Sequence, residues 1–456
     1  MFVRIFPQKD TFITNFQRNS VPQTGSNFGA SEILHLYVKA GVSGAVGVTA
    51  SASLARVLSQ FDLTTFQQLT GSGLMPQSGV VYRLHMSDAQ HKGTTPSSYD
   101  VEVQAVSQSW DEGKGRDTDS YSDRGFANWD KRTSTQFWSV TGSSGVGVIS
   151  SQHFDDGRED IDVDVTDIVN SWMTGGLENN GFLVAMSSTL EVGTQDFFRK
   201  MLHARNTHFP DRRPYLEARW DDSILDDRNN FFWDVSGTLY LYNVVRGQPT
   251  DIVGIGTGSI GVKLSDLSGT IGFVTGSHTG VTGIYSASFA IATGSYSGSL
   301  WSDVWFNLSA PDTWYMTGSF GIADSFARQD LHTTRYFVTV TNLQDTYDGS
   351  EDVRMDLYIR PHDYNPAQVL TASLDSLGMV MTKAYYRIVN DRTDQVVVPF
   401  STGALEYTRL SYDQRGNHFR LMMSNLPAGE VYRLTFLFNV DGRRQVIDQD
   451  LKFKVV

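Results

Sequence analysis

Hydrophobic and polar positions alternate with a period of two along most of the chain. Leu34, Leu36 and Val38 alternate with His35, Tyr37 and Lys39, and Val353, Met355, Leu357 and Ile359 with Arg354, Asp356, Tyr358 and Arg360. Near the end, Tyr432, Leu434, Phe436 and Phe438 run out of phase with Arg433 and Thr435, and Leu451, Phe453 and Val455 alternate with two lysines. Such alternation is what a strand with one buried face requires. The runs are punctuated by Gly, Ser, Thr and Asp, which favour turns. One segment keeps a helical period instead: after Asp164, the residues Val165, Ile168, Val169 and Trp172 fall at i, i+3, i+4 and i+7. Asp164 and Asp167 suit its start, where carboxylates satisfy unpaired N–H groups. A weaker helical candidate covers Phe61 to Leu69.

The pattern reads as all-β, and the expected fold is an N-terminal jelly-roll-like β-sandwich with one short helix, followed by two smaller Ig-like β-sandwiches. Its 456 residues suit about three domains of roughly 150 residues. Two polar stretches, 221–230 and 324–334, interrupt the alternation and set expected domains at 1–220, 225–325 and 330–456. In the middle domain Thr-Gly-Ser recurs at Thr257, Thr275 and Thr293 and again at Thr317. Recurrent turns of a hairpin meander and chance repetition in a Gly/Ser/Thr-rich sheet are the two readings of that spacing.

Composition narrows the chemistry. There is no cysteine, which removes disulfides, Cys-ligated metals and thiol nucleophiles. The net charge of −13 argues against nucleic acid as a partner. No window approaches 18 consecutive apolar residues, so no membrane-spanning helix is expected. The opening residues lack an apolar signal core, so classical secretion is not expected either. No HExxH or GxSxG pattern occurs. Gly256–Gly261 matches GxGxxG, but the residues after it cannot sustain the helix that a dinucleotide needs, and a glycine turn is the better account.

Two acidic loops remain. Asp117, Asp119 and Asp123 are candidate ligands for a structural calcium ion, as is the cluster Asp155, Asp156, Glu159, Asp160 and Asp162. Neither has EF-hand order, and a solvated acidic loop is the plainer reading of both. Trp110 and Trp129 are candidates for stacking on sugar rings, with core packing as the alternative. No catalytic residue and no cofactor other than calcium is called for.

A series of ordered motifs covers the first part of the chain. Asp10-Thr11 opens it, followed by Asn27-Phe28-Gly29-Ala30-Ser31 and the strand Leu34–Val38. Then come Val57-Leu58-Ser59-Gln60-Phe61-Asp62-Leu63, Val81-Tyr82-Arg83-Leu84, and Trp110-Asp111-Glu112-Gly113 with Trp129 and Trp138. Asp164-Val165-Thr166 with Val169 and Trp172, Asn180-Gly181-Phe182 and Arg213-Pro214-Tyr215-Leu216 complete the set. In that order these motifs make residues 5–220 resemble the DNRLRE domain, a carbohydrate-binding-module-like β-sandwich. The remaining texture, serial β domains rich in Gly, Ser and Thr, resembles virion structural proteins of tailed bacteriophages. The resemblance implies a non-enzymatic tail, neck, baseplate or fibre-associated protein, located in the virion and assembled in the host cytoplasm. Its implied partners are other virion proteins and copies of itself. The alternative it implies is an adhesin whose N-terminal sandwich holds a host-surface polysaccharide.

Overall fold

In the computed structural model, the described residues are 1–18, 21–40, 52–91, 97–116, 123, 125–192, 196–266, 269–293, 298–323, 335–362, 379–440 and 442–456. The fold is all-β and divides into two compact units. One comprises Phe2–Gln68 and Val80–Arg219. The other comprises Met1, Leu69–Gly79 and Trp220–Val456.

The first unit is a sandwich. A four-stranded sheet runs in the order Phe2–Ile5, Tyr215–Arg219, Val81–Met86, Ile161–Asp164. A seven-stranded sheet runs Phe197–His203, Ile33–Lys39, Ser53–Phe61, Phe182–Met186, Tyr99–Val106, Gly145–Phe154, with Pro7–Thr14 also paired to Ser53–Phe61. The alternating residues behave as their period demands: Leu34, Leu36, Val57, Leu84, Val101 and Val103 are buried. The helix Thr166–Met173 buries Ile168, Val169 and Trp172, and Trp172 packs on Phe182 with ring centres 4.6 Å apart. The weaker helical candidate forms as Thr64–Gly71 and inserts Phe66 beside Tyr82.

The second unit holds two β modules. Seven strands of the middle module form one sheet, ordered Phe231–Phe232, Ala310–Ala323, Leu300–Asn307, Ser259–Asp266, Gly269–His278, Ile284–Phe289, Gly237–Tyr242, and Val244–Val245 pairs separately with Gln248–Pro249. Its first and last strands are consecutive in the chain, so the sheet curls around a single core. Phe231 at one end stacks on Phe289 near the other, at 5.0 Å, and Trp301, Trp305 and Phe320 fill the interior. The C-terminal module is a sandwich of two sheets. One runs Tyr336–Val340, Asp352–Pro361, Gly416–Met422, Ser411–Asp413; the other runs Thr346–Tyr347, Arg443–Val455, Val431–Val440, Ala384–Asn390, Val396–Val398. Tyr386 from the five-stranded sheet stacks on Phe419 from the four-stranded sheet at 4.3 Å.

The polar stretch 221–230 is a clasp between these two modules. Tyr412 donates its hydroxyl to Asp227 (2.8 Å), and the backbone N–H of Thr238 donates to the same carboxylate. Asp226 and Ile224 exchange backbone hydrogen bonds with Tyr412. Arg228 reaches the interior of the middle sheet and pairs with Asp303 through two hydrogen bonds of 2.5 and 2.8 Å, both side chains being buried. The second polar stretch, 324–334, lies outside the described residues.

Two of the Thr-Gly-Ser repeats sit inside strands rather than turns, at Thr275 and Thr317. Gly318 is required there because a side chain would collide with the Arg228 guanidinium. The repeat is therefore partly sheet packing, not recurrent turn chemistry.

Candidate functional site

Three polar arrangements in the first unit bring charged residues together. The first lies where the motif residues converge. Asp10 is buried, accepts the backbone N–H of Arg205 at 2.7 Å, and leaves its Oδ1 without a hydrogen-bond partner. Glu112 is held in a fork by Arg205 (2.7 and 2.5 Å) and also accepts the backbone N–H of Asp10. Asn27 donates to the carbonyls of Glu112 and Ala127 and accepts from Gly29 and Gly115. Gly113 and Gly115 allow that approach, since a Cβ on either would overlap Asn27. Burial pushes the Asp10 carboxyl up to about 7, with the Glu112 charge acting in the same direction. Residues far apart in the chain thus form one polar lock.

The second arrangement surrounds Lys200. A register break between Phe197 and Lys200 in the edge strand accompanies the burial of this side chain. A buried ammonium must be fully paired to be tolerated. Here it donates to Asp88 Oδ1 (3.0 Å) and to the carbonyls of Gly157 (3.1 Å) and Glu159 (2.6 Å), and it lies 4.8 Å from the centre of the Phe154 ring. The second acidic loop is therefore wrapped around a lysine, whose ammonium takes the carbonyl and carboxylate oxygens that a hard cation would seek. Beside it is a recess of about 490 Å³ lined by Asp88, Gln90, His91, Arg158, Glu159, Asp160 and Arg212. Burial raises the Asp88 carboxyl above its ordinary value. Burial also opposes ionisation of Glu159, but the N–H groups of Asp155 and Asp156 outweigh it and hold that carboxyl at about 2. Asp88 is committed to Lys200 and Glu159 to the loop backbone, so the pair serves the fold before any ligand.

The third arrangement covers the outer face of the seven-stranded sheet. Residues 107–116 and 125–144 lie over that face and build a second core with the sheet, from Ile13, Leu58, Val106, Trp110, Ala127, Trp129, Trp138 and Leu183. Arg56 pins it, with two hydrogen bonds to Glu191 (2.9 and 2.5 Å) and two to the carbonyls of Gly142 and Ser143. Trp110 is 1% exposed and donates to the carbonyl of Asn180; Trp129 is 7% exposed. The expectation that these two indoles stack on sugar is corrected here. Their faces meet protein groups, including Lys9 over Trp110 and Arg56 over Trp129, and neither is open to solvent.

Of the calcium candidates, Asp117 and Asp119 lie outside the described residues, and Asp123 accepts the backbone N–H of Lys114 at 2.9 Å. Among the described residues no group of three or more His, Asp or Glu side chains is placed to hold a metal ion. Neither Lys200 nor Arg205 stands out in the sequence, although Asp10 and Glu112, the partners of Arg205, belong to the ordered motifs.

A fourth feature is apolar. The strand Gly145–Phe154 ends the seven-stranded sheet and pairs only with Tyr99–Val106 among the described residues. Its stretch 145–152 carries neither charge nor proline. Between the partners of Val103 and Ala105 the register breaks, and Val146, Val148 and Ile149 are left exposed. Proteins usually blunt such edges with charge, proline or bulges; here the bulge itself is apolar.

No family model matches the chain, and no curated protein matches it. Among solved structures, tandem titin Ig domains align at 10% identity over 50% of this chain and 91% of theirs, with a TM-score of 0.15. The chicken CNTN1 FN1–FN3 domains align at 10% identity over 81% and 98%, with a TM-score of 0.16. The glycoside hydrolase domain of Spr0440, Endo-D from Streptococcus pneumoniae R6, aligns at 8% identity over 63% and 37%, with a TM-score of 0.12. At such scores the likenesses carry no argument, and the all-β fold rests on the chain's own sheets.

Proposed function

We propose that the chain is a non-enzymatic structural protein of a tailed-phage particle, a tail, neck, baseplate or fibre-associated component that works by assembly. The observation that carries this reading is the open edge strand Gly145–Phe154, whose stretch 145–152 has no charged residue and leaves Val146, Val148 and Ile149 exposed. An apolar edge of this kind is a ready interface for another β protein, whether a copy of this chain or another virion protein. Two further features support it. The strongly perturbed or buried charged groups, Asp10, Lys200 and Arg228, are engaged in locks that stiffen the fold. The DNRLRE-like motif residues Asp10, Asn27, Glu112 and Gly113 meet in one such lock, which suits a scaffold.

The alternative, an adhesin that grips polysaccharide with its N-terminal sandwich, is not favoured because Trp110 and Trp129 are buried. The test is the solution mass of the purified chain by light scattering, with and without a chelator, beside an Ile149→Lys variant. A closed oligomer, or a monomer that joins purified particles, is expected, and the lysine variant should lose that association. A stable monomer that ignores particles would overturn the reading.

A further inference from the structure

The outer face of the middle sheet carries aromatic rings where its pattern calls for hydroxyls. Cross-strand register places Gly261 opposite Thr275 and Phe306, and Lys263 opposite Phe273 and Val304. These residues share one face, because directly opposed residues in a sheet point to the same side. The intervening positions Ile260, Val262 and Trp305 are buried in the core, so this face is the outer one. Phe273 is 70% exposed and Trp314 is 63% exposed, and Trp314 pairs in register with Phe306.

This cluster is built, not incidental. The Phe306 ring occupies the space over Gly261, where any side chain would collide with it. Phe273 meets Phe306 edge to face, with centres 6.5 Å apart and planes at 77°. Trp314 donates its indole N–H to the carbonyl of Pro311 (3.2 Å), which orients the ring. Exposing large aromatic surface carries a solvation cost and is the informative kind of exception.

From this geometry we infer that Phe273, Phe306, Trp314 and Lys263 form a binding platform for an acidic polysaccharide. Three considerations select that ligand. Aromatic faces stack on the C–H faces of pyranose rings. Around the rings the same face offers mainly hydroxyls, Thr275 and Ser302 among them, with Val304 the aliphatic neighbour of Lys263. Local charge suits an anionic ligand: Lys263 has no ion pair among the described residues, and the outward positions of 259–265, 273–277 and 302–306 carry no carboxylate. On the neighbouring strand, Asp312 falls in the irregular stretch between the partners of Phe306 and Asn307, at the end of the platform. This platform is separate from the N-terminal sandwich and does not depend on the assembly reading.

The test is native affinity electrophoresis of the full chain in gels containing polygalacturonate, alginate or dextran. Wild type should be retarded by at least one of the two uronate polymers and not by dextran, and the retardation should weaken with salt. Trp314→Ala should bind about tenfold more weakly, and Lys263→Gln should lose binding while keeping the thermal midpoint of wild type. Three results would overturn the inference: no retardation of wild type by either uronate polymer, equal retardation of all variants, or a fall in solution mass on Trp314→Ala, which would make the platform an interface between copies.

Discussion

The outer faces of two sheets treat aromatic residues in opposite ways. On the seven-stranded sheet of the first unit, three tryptophans from residues 107–116 and 125–144 pack down onto the face and join a second core. On the middle sheet, Phe273 and Trp314 stand open on a face of hydroxyls. Each buried indole of the first face has its own supports: Trp110 and Trp138 donate to backbone carbonyls, and Arg56 lies over Trp129. Among the described residues, the exposed indole of Trp314 donates to the carbonyl of Pro311 in its own hairpin. The same residue type is thus scaffold where a loop can close over it and surface where none does.

The sharpest way to break the comparison is to empty the covered face. Trp110→Ala removes a fully buried indole and leaves the Asn180 carbonyl without its donor. We expect a loss of about 3–5 kcal/mol, read from urea unfolding of the full chain. A cost below about 1 kcal/mol would show that the loop core is dispensable. Within the middle sheet, the counterpart lies on the inner face. Arg228→Ala strands the buried Asp303 carboxylate and should cost about 3–5 kcal/mol. Arg228→Met combined with Asp303→Leu should recover most of it, because the penalty comes from an unpaired buried charge. If the double variant is as unstable as the single one, the pair's geometry rather than its charge balance holds the clasp.

A smaller effect should follow pH. Burial lifts the Asp10 carboxyl to about 7 in the folded state, against an ordinary value of 3.8. The folded chain therefore holds this proton more tightly than the unfolded chain. The associated stability is full below about pH 4 and is lost as pH rises through about 7. It amounts to something on the order of 2–4 kcal/mol. Asp226, lifted to about 7 by burial in the clasp, acts in the same direction. Thermal midpoints should fall between pH 5 and pH 8, and Asp10→Asn should reduce that fall, since an amide oxygen can still accept the Arg205 N–H. An unchanged pH profile in Asp10→Asn would show that the carboxyl is already ionised without penalty.

Much of the fold is legible in the sequence because period two translates directly into a buried face. Met355, Leu357 and Ile359 alternate in the sequence and are buried in the structure, and the four apolar positions of the helix from Val165 to Trp172 are all buried. What escapes is non-local. Residues 107–144 have no period, so nothing in their order announces that 107–116 and 125–144 close over a sheet. The run 221–230 is polar enough to pass for a linker, yet its charges find Thr238 nearby and Asp303 and Tyr412 far along the chain. Lys200 violates the expectation that lysine stays in water, and its partners come from a loop some 40 residues earlier and from Asp88. The platform did leave a trace: Phe273 falls in phase with Thr275 and Ser277, an aromatic on the hydroxyl parity of its strand. Recognising it needed the register with Phe306, which only the sheet supplies.

The smallest expected effect is the most discriminating. Trp314→Ala deletes as large a side chain as Trp110→Ala, yet the indole is 63% exposed and covers no core. Its truncation should change stability by no more than about 0.5 kcal/mol, the usual range for a surface site. Size alone therefore predicts equal costs for the two variants, whereas burial predicts a gap of several kcal/mol. Urea unfolding of both, in the same buffer, decides between them. If Trp314→Ala proves nearly as costly as Trp110→Ala, the aromatic cluster over Gly261 is part of the middle module's packing, and its exposure would have to be explained as structure rather than as a place for a ligand.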